Sequence, residues 1–135
     1  IDRQYYLSYN IIRPKKKGVF DMTFPLGAPL LDACVLGVLT QGDAYGYSLT
    51  QRMKEVVDLS ESTLYPVLRR LQQGGCLSVY DQPYQGRNRR YYAITPVGRT
   101  LLSGYQEAWS EYRRQIETLL FPEKPEEGGG DHGES

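Results

Sequence analysis

Five arginines, Arg69, Arg70, Arg87, Arg89 and Arg90, fall in one stretch with the hydroxyls of Ser62, Thr63 and Tyr65 and the amide of Asn88. A guanidinium is a rigid fork of N–H donors that fits phosphate oxygens or the acceptor edge of a guanine. The chemistry open to such a set is recognition of a polyanion. Charge distribution agrees with that reading. The chain has 16 basic and 16 acidic residues, so the total cancels. Between Ser60 and Thr100, however, six arginines stand against Glu61 and Asp81, net +4. From Phe121 onward Lys124 stands against five acids, net −4. A basic middle with an acidic tail is compatible with nucleic-acid binding.

Other chemistries find little support. The single histidine, His132, lies in a Gly-rich polar tail, which removes the commonest general base and metal ligand from the folded part. The carboxylates are scattered, and no phosphate-cradling glycine loop or nucleophile elbow is visible. Cys34 and Cys76 fit no metal spacing and sit among apolar neighbours, as buried thiols in a reducing compartment do. No enzyme, cofactor or metal site is expected. No apolar run approaches the ~20 residues needed to span a bilayer, so the expected location is the cytoplasm.

The elements that must carry the arginines follow from periodicity. Leu64, Val67, Leu68 and Leu71 recur at i, i+3, i+4 and i+7, one side of a helix. Its other side shows Ser62, Thr63, Tyr65, Pro66, Arg69 and Arg70. Ser60 or Ser62 caps its start, and Gly74-Gly75 ends it. Such a helix is either an ordinary amphipathic helix with a solvated outer face or one made to enter a DNA major groove. Pro66 deletes one helical bond, a cost that shrinks if the helix effectively starts near Thr63.

Before it, residues 28–40 form a first helix, apolar over more than one face through Leu30, Leu31, Cys34, Val35, Leu36, Val38 and Leu39. That breadth predicts burial by its own domain on one side and by a partner on another, with Leu31 at the partner side. A second helix runs through Leu49, Met53, Val56 and Val57. Two short helices joined by a tight turn make a helix-turn-helix. After it, Leu77-Ser78-Val79-Tyr80 and Arg90-Tyr91-Tyr92-Ala93-Ile94 read as strands, with a turn over residues 82–88. That hairpin, basic at its tip, is the wing of a winged helix, where Arg87, Arg89 and Arg90 meet phosphates or the minor groove.

Thr95-Pro96 opens the longest helix, to about Leu120 and roughly 37 Å long. Leu101, Tyr105, Ala108, Tyr112, Ile116 and Leu119 alternate by four and three, widened by Leu102, Trp109 and Leu120. The seam exceeds what one small domain covers, which predicts a two-fold homodimer. The fold class is therefore mainly α with a small β-hairpin: a winged helix-turn-helix over residues 22–95 and one long dimerisation helix over 96–120. Residues 121–135 are expected to be a disordered acidic tail. Residues 1–21 carry Pro14-Lys15-Lys16-Lys17-Gly18, which reads as a flexible basic arm or as a translated leader. The leader reading rests on Lys17-Gly18-Val19, whose codons can contain the ribosome-binding sequence AAGGAG ahead of Met22.

These residues resemble the PadR-like transcriptional regulators. The matching pieces are Leu30-Leu31-Asp32, Tyr45-Gly46-Tyr47, the run from Ser62 to Leu71, and Gly86-Arg87-Asn88-Arg89-Arg90-Tyr91-Tyr92-Ala93-Ile94-Thr95 with Pro96 and Gly98. The resemblance covers residues 22–120 and is closest to the short branch with a single C-terminal helix. It implies a dimeric repressor that binds double-stranded DNA at an inverted repeat. It adds Tyr45 and Tyr47 to the DNA-binding residues. It also implies that Trp109 faces the dimer centre and, with Tyr105 and Tyr112, stacks an aromatic effector; plain dimer packing is the alternative for that tryptophan. The competing reading is a winged helix used only as a protein-interaction or small-molecule-binding module.

Overall fold

A computed structural model describes residues 24–123, together with the backbone of two short strands ahead of them. Those strands, β1 (Ile12–Lys16) and β2 (Val19–Met22), pair antiparallel, Ile12 opposite Met22 and Arg13 opposite Asp21. The leader or arm expected at 1–21 and the acidic tail expected at 121–135 otherwise lie outside the described residues.

Helix α1 (Ala28–Leu39) starts with Pro29 in its first turn, where the missing N–H costs nothing. Strand β3 (Ala44–Tyr45) leads directly into α2 (Gly46–Lys54), and a loop connects to α3 (Glu61–Gln73). A hairpin, β4 (Leu77–Tyr84) and β5 (Arg87–Ile94), precedes the long α4 (Pro96–Leu120). The core is the meeting of four apolar rows: Leu31, Val35, Leu36 and Leu39 of α1; Leu49 and Met53 of α2; Leu64, Val67, Leu68 and Leu71 of α3; and Leu102 of α4. Ala44, Leu77 and Tyr92 close it from the sheet. The row predicted for α3 is the row that is buried.

Four expectations need correction. The second helix ends at Lys54, and Val56 is 83% exposed, so its apolar row stops at Met53. Helix α3 begins at Glu61 and not near Thr63, so Pro66 lies in its second turn. Ser60, one of the two caps expected, does cap it, its Oγ accepting from the Thr63 N–H at 3.3 Å. The lost bond is tolerated because Pro66 is on the exposed side while the opposite row is fully packed. Leu31 is only 5% exposed within its own protomer, which leaves almost nothing for a partner to cover.

The wing is also longer than read. Its strands continue to a two-residue turn at Gln85 and Gly86, both with positive φ (50° and 79°), the geometry that matches strand twist in a tight hairpin. The basic residues thus sit on a paired strand, Tyr84 opposite Arg87, Gln82 opposite Arg89 and Asp81 opposite Arg90. Strand β3 was not anticipated. It adds Ala44 opposite Tyr92 and Tyr45 opposite Tyr91, giving the sheet order β3-β5-β4 with β5 central. Two residues are too few to show a period, so the sequence gives no strand signal there.

The seat of α4 is built from small groups. The Thr95 hydroxyl accepts from the Gly98 N–H at 3.0 Å and donates to the Gly75 carbonyl at 2.6 Å. A Cβ on Gly98 would stand 2.3 Å from the Cys76 carbonyl oxygen, so only glycine lets the helix approach that corner. No helix among the described residues is long and apolar enough to cross a membrane.

Candidate nucleic-acid interface

The exposed side of α3 and the inner edge of β5 enclose an open cleft of about 500 Å³. Tyr65, Arg69 and Gln72 line it from α3, Asn88, Arg89, Arg90 and Tyr92 from β5, and Tyr45, Gly46 and Tyr47 from the start of α2. Gly46 is buried there, its α-carbon side against the Tyr92 ring. Seven of the residues expected to bind DNA are therefore brought to one place: Tyr45, Tyr47, Tyr65, Arg69, Asn88, Arg89 and Arg90. Pro66 is exposed on the same helix. Ser62 and Thr63 are exposed at its first turn, their hydroxyls within 2.9 and 3.0 Å of the Ser60 Oγ. Arg87 is exposed beside the hairpin turn, outside the cleft lining.

The arginines are not equivalent. Among the described residues, no ion pair involves Arg69, Arg87 or Arg89. Arg90 lies 3.5 Å from Asp81, its cross-strand neighbour, with both groups well exposed. Such a pair contributes little and is screened by salt. Arg70 is different. Its guanidinium pairs with the largely buried Asp32 of α1, tying α3 to the scaffold. Of the five arginines whose chemistry suits a polyanion, Arg70 and Arg90 thus already have an acidic partner. Asp32 needs a partner because an unpaired carboxylate inside the domain is costly.

Tyrosines organise the outer face of the sheet. Tyr80 stacks on Tyr91 at 5.4 Å with an 11° tilt, and Tyr91 meets Tyr45 edge-on at 6.0 Å. The Tyr80 hydroxyl donates to Asp43 at 2.7 Å, and that bond raises its pKa above the ordinary phenol value. Burial raises the pKa of Tyr92, behind the cleft. Tyr84, Gln72 and Asp32 were missed from the sequence. Tyr84 falls in the stretch that reads as a turn, which hides its alternation with Tyr80 and Gln82, whereas Gln72, three residues after Arg69, shares its helical spacing and is legible in the sequence.

A second surface lies along α4. Tyr105, Ala108, Trp109 and Tyr112 face Pro25, Gly27, Pro29, Leu30 and Ala33 across an open, largely apolar groove of about 470 Å³. Trp109 is 42% exposed and Tyr112 57%, with ring centroids 6.3 Å apart. Tyr105 is half-buried, and that burial raises its pKa. Leu101 packs on the core and Ile116 is half-buried, while Leu119 is 77% exposed. Apart from Leu31, the residues expected at a dimer interface thus lie along α4 with much of their surface open.

Comparison with known proteins agrees with this architecture. The model of the family described as "Transcriptional regulator PadR-like family" matches residues 35–104. An uncharacterized protein X of Lysinibacillus sphaericus is 30% identical over 95 residues, covering 67% of this chain and 87% of its own. The transcriptional regulator Rv3488 of Mycobacterium tuberculosis is 34% identical over 83 residues, 61% of this chain and 78% of that one. Among solved structures, a Streptococcus mutans protein superposes with a TM-score of 0.69 at 35% identity, over 78% of this chain and all of its own. A PadR-like transcriptional regulator from Bacillus cereus gives 0.64 at 28%, over 70% of this chain and 94% of that one. With helix-turn-helix, wing and long C-terminal helix in place, the chain belongs to the PadR-like family, whose members are DNA-binding transcriptional regulators rather than enzymes.

Proposed function

We propose that the protein is a cytoplasmic repressor that binds an inverted-repeat operator as a homodimer and is released by an aromatic or lipophilic small molecule. The observation that carries the DNA-binding part is the cleft between α3 and β5, where Arg69, Arg89 and Arg90 converge with Asn88 and four tyrosines. Helix α3 enters the major groove, offering Thr63 and Tyr65 to base edges, and the wing follows the adjoining backbone. The apolar surface of α4 supports the homodimer, since a row containing Trp109, Tyr112 and Leu119 is not completed by its own protomer. A two-fold axis along α4 presents two recognition helices to the two halves of a repeat.

A salt titration on specific and random duplexes tests the first part. Arg87→Ala lowers affinity on both and makes the salt dependence shallower by about one contact. Thr63→Ala or Tyr65→Ala instead relaxes discrimination at particular bases, by ~1–3 kcal/mol at a good contact. Equal losses on both duplexes for the helix variants would place sequence reading elsewhere. Binding without salt dependence would favour an interaction module.

The groove beside Trp109 supports the effector part. Planar dyes quench Trp109 fluorescence, and saturating operator weakens dye binding by the factor by which dye weakens operator binding. Trp109→Ala gives a folded dimer that binds operator and ignores dye. Dissociation of that variant, with no quenching in the wild type, would leave Trp109 as packing alone.

A further inference from the structure

The three wing arginines sit in different surroundings. Arg87 and Arg90 are exposed, whereas Arg89 is half-buried. Its guanidinium carbon lies 3.6 Å from the centre of the Tyr84 ring and 4.4 Å from that of Tyr45. Register explains the first contact: Gln82 is directly opposite Arg89, so Tyr84 lies on the same face of the sheet and reaches it diagonally. Tyr45 arrives from the other side because β3 pairs with β5 at Tyr91. It does not stand alone, since its edge-on contact continues through Tyr91 to Tyr80, which Asp43 holds.

We propose that Tyr84 and Tyr45 are positioning residues that hold the Arg89 guanidinium against their rings, so that it meets a DNA phosphate already ordered. This role rests on the DNA-binding function proposed above. Ring faces attract a planar cation through their quadrupole and leave its N–H edges free for phosphate oxygens. A solvated arginine loses most of its rotamer freedom when it binds, and one already held by two rings loses less. Arg89 also lines the recognition cleft, so the preset group lies beside α3. A lysine has no plane to lay against a ring, so the device selects arginine for shape as well as charge.

The test compares wild type, Tyr84→Leu, Tyr84→Phe, Arg89→Lys, Arg89→Ala and Tyr84→Leu/Arg89→Ala on a random-sequence duplex across a salt series. Thermal unfolding serves as the control for folding. Tyr84→Leu weakens binding about threefold per bound copy with an unchanged salt slope, because the charge remains. Tyr84→Phe retains the wild-type affinity, since the ring is kept. Arg89→Lys loses affinity while keeping the slope, and Arg89→Ala loses both. In the Arg89→Ala background Tyr84→Leu adds nothing. In the free protein, the Arg89 δ-methylene protons are shifted upfield by the rings in wild type and Tyr84→Phe and return toward ordinary positions in Tyr84→Leu.

Wild-type affinity in Tyr84→Leu, or additive losses in the double variant, would overturn this role and leave the repressor reading intact. Equal losses in Tyr84→Phe and Tyr84→Leu would overturn it in favour of a direct hydroxyl contact. Absence of any duplex binding by the wild type at low salt would remove the DNA-binding reading and this role with it.

Discussion

Helices α3 and α4 are both amphipathic, and they treat their apolar rows in opposite ways. In α3, Leu64, Val67, Leu68 and Leu71 are all buried, so its leucine and valine row is complete and the outer side is free to face a partner such as DNA or solvent. In α4, only Gly98 and Leu102 are buried, while Trp109, Tyr112, Leu119 and Leu120 remain open. The helix extends far past the small domain that anchors its first turns. The protomer therefore fixes α3 from within and leaves α4 as a surface to be completed. In the proposed repressor, the helix that reads DNA is thus packed from within, and α4 keeps its open surface for a second copy. The same contrast applies to two neighbouring arginines on α3: Arg69 turns to the cleft and Arg70 to the scaffold.

The sharpest way to break this comparison is to truncate one residue on each helix. Leu64→Ala destabilises the fold by ~2–5 kcal/mol, because the residue is fully buried and a packed core relaxes only partly around the void. Leu119→Ala changes protomer stability by no more than about 0.5 kcal/mol, as an exposed position does. Denaturant unfolding at low protein concentration measures both. Similar losses would show that α4 depends on its own protomer as much as α3 does.

Gly98→Ala tests how α4 is seated. The added methyl meets the Cys76 carbonyl and the Ile94 side chain, so the first turn must move, at a cost of ~1–3 kcal/mol. The melting temperature falls while the helical signal of α3 in the folded state is unchanged. A neutral result would mean that the corner yields easily.

Arg70→Ala sharpens the division between the two arginines. It leaves the largely buried Asp32 carboxylate unpaired and lowers stability by roughly 1–3 kcal/mol, the cost of a buried acceptor without its donor. The salt dependence of duplex binding stays unchanged, whereas Arg69→Ala makes it shallower by about one contact. A shallower slope for Arg70→Ala would return that residue to the binding surface.

The smallest effect concerns Tyr80. Its raised pKa means that the hydrogen bond to Asp43 exists in the neutral phenol. The stability it supplies is complete below the ordinary phenol range and is lost as pH rises through the raised folded value. In an ultraviolet titration Tyr80 ionises late, as Tyr92 and Tyr105 also do, and Asp43→Ala moves Tyr80 alone back toward the ordinary phenol range. No change in that variant would mean that the stack on Tyr91, not the carboxylate, sets the titration.

Local pattern determined much of this protein. The row Leu64, Val67, Leu68 and Leu71 specified α3 and its buried side, because helical period reports which side chains share a face. Thr95-Pro96 specified the start of α4, because capping and a fixed φ are properties of neighbouring residues. The motif from Gly86 to Thr95 pointed to the family. What lies between elements was decided only by the tertiary structure. Strand β3 exists because β5 offers it an edge, the Tyr84–Arg89–Tyr45 contacts follow from register across three strands, and Arg70 is diverted by an aspartate 38 positions away. Val56, Pro66 and Leu31 were misplaced for the same reason: periodicity says which residues share a face, and packing decides where a helix stops and what covers it.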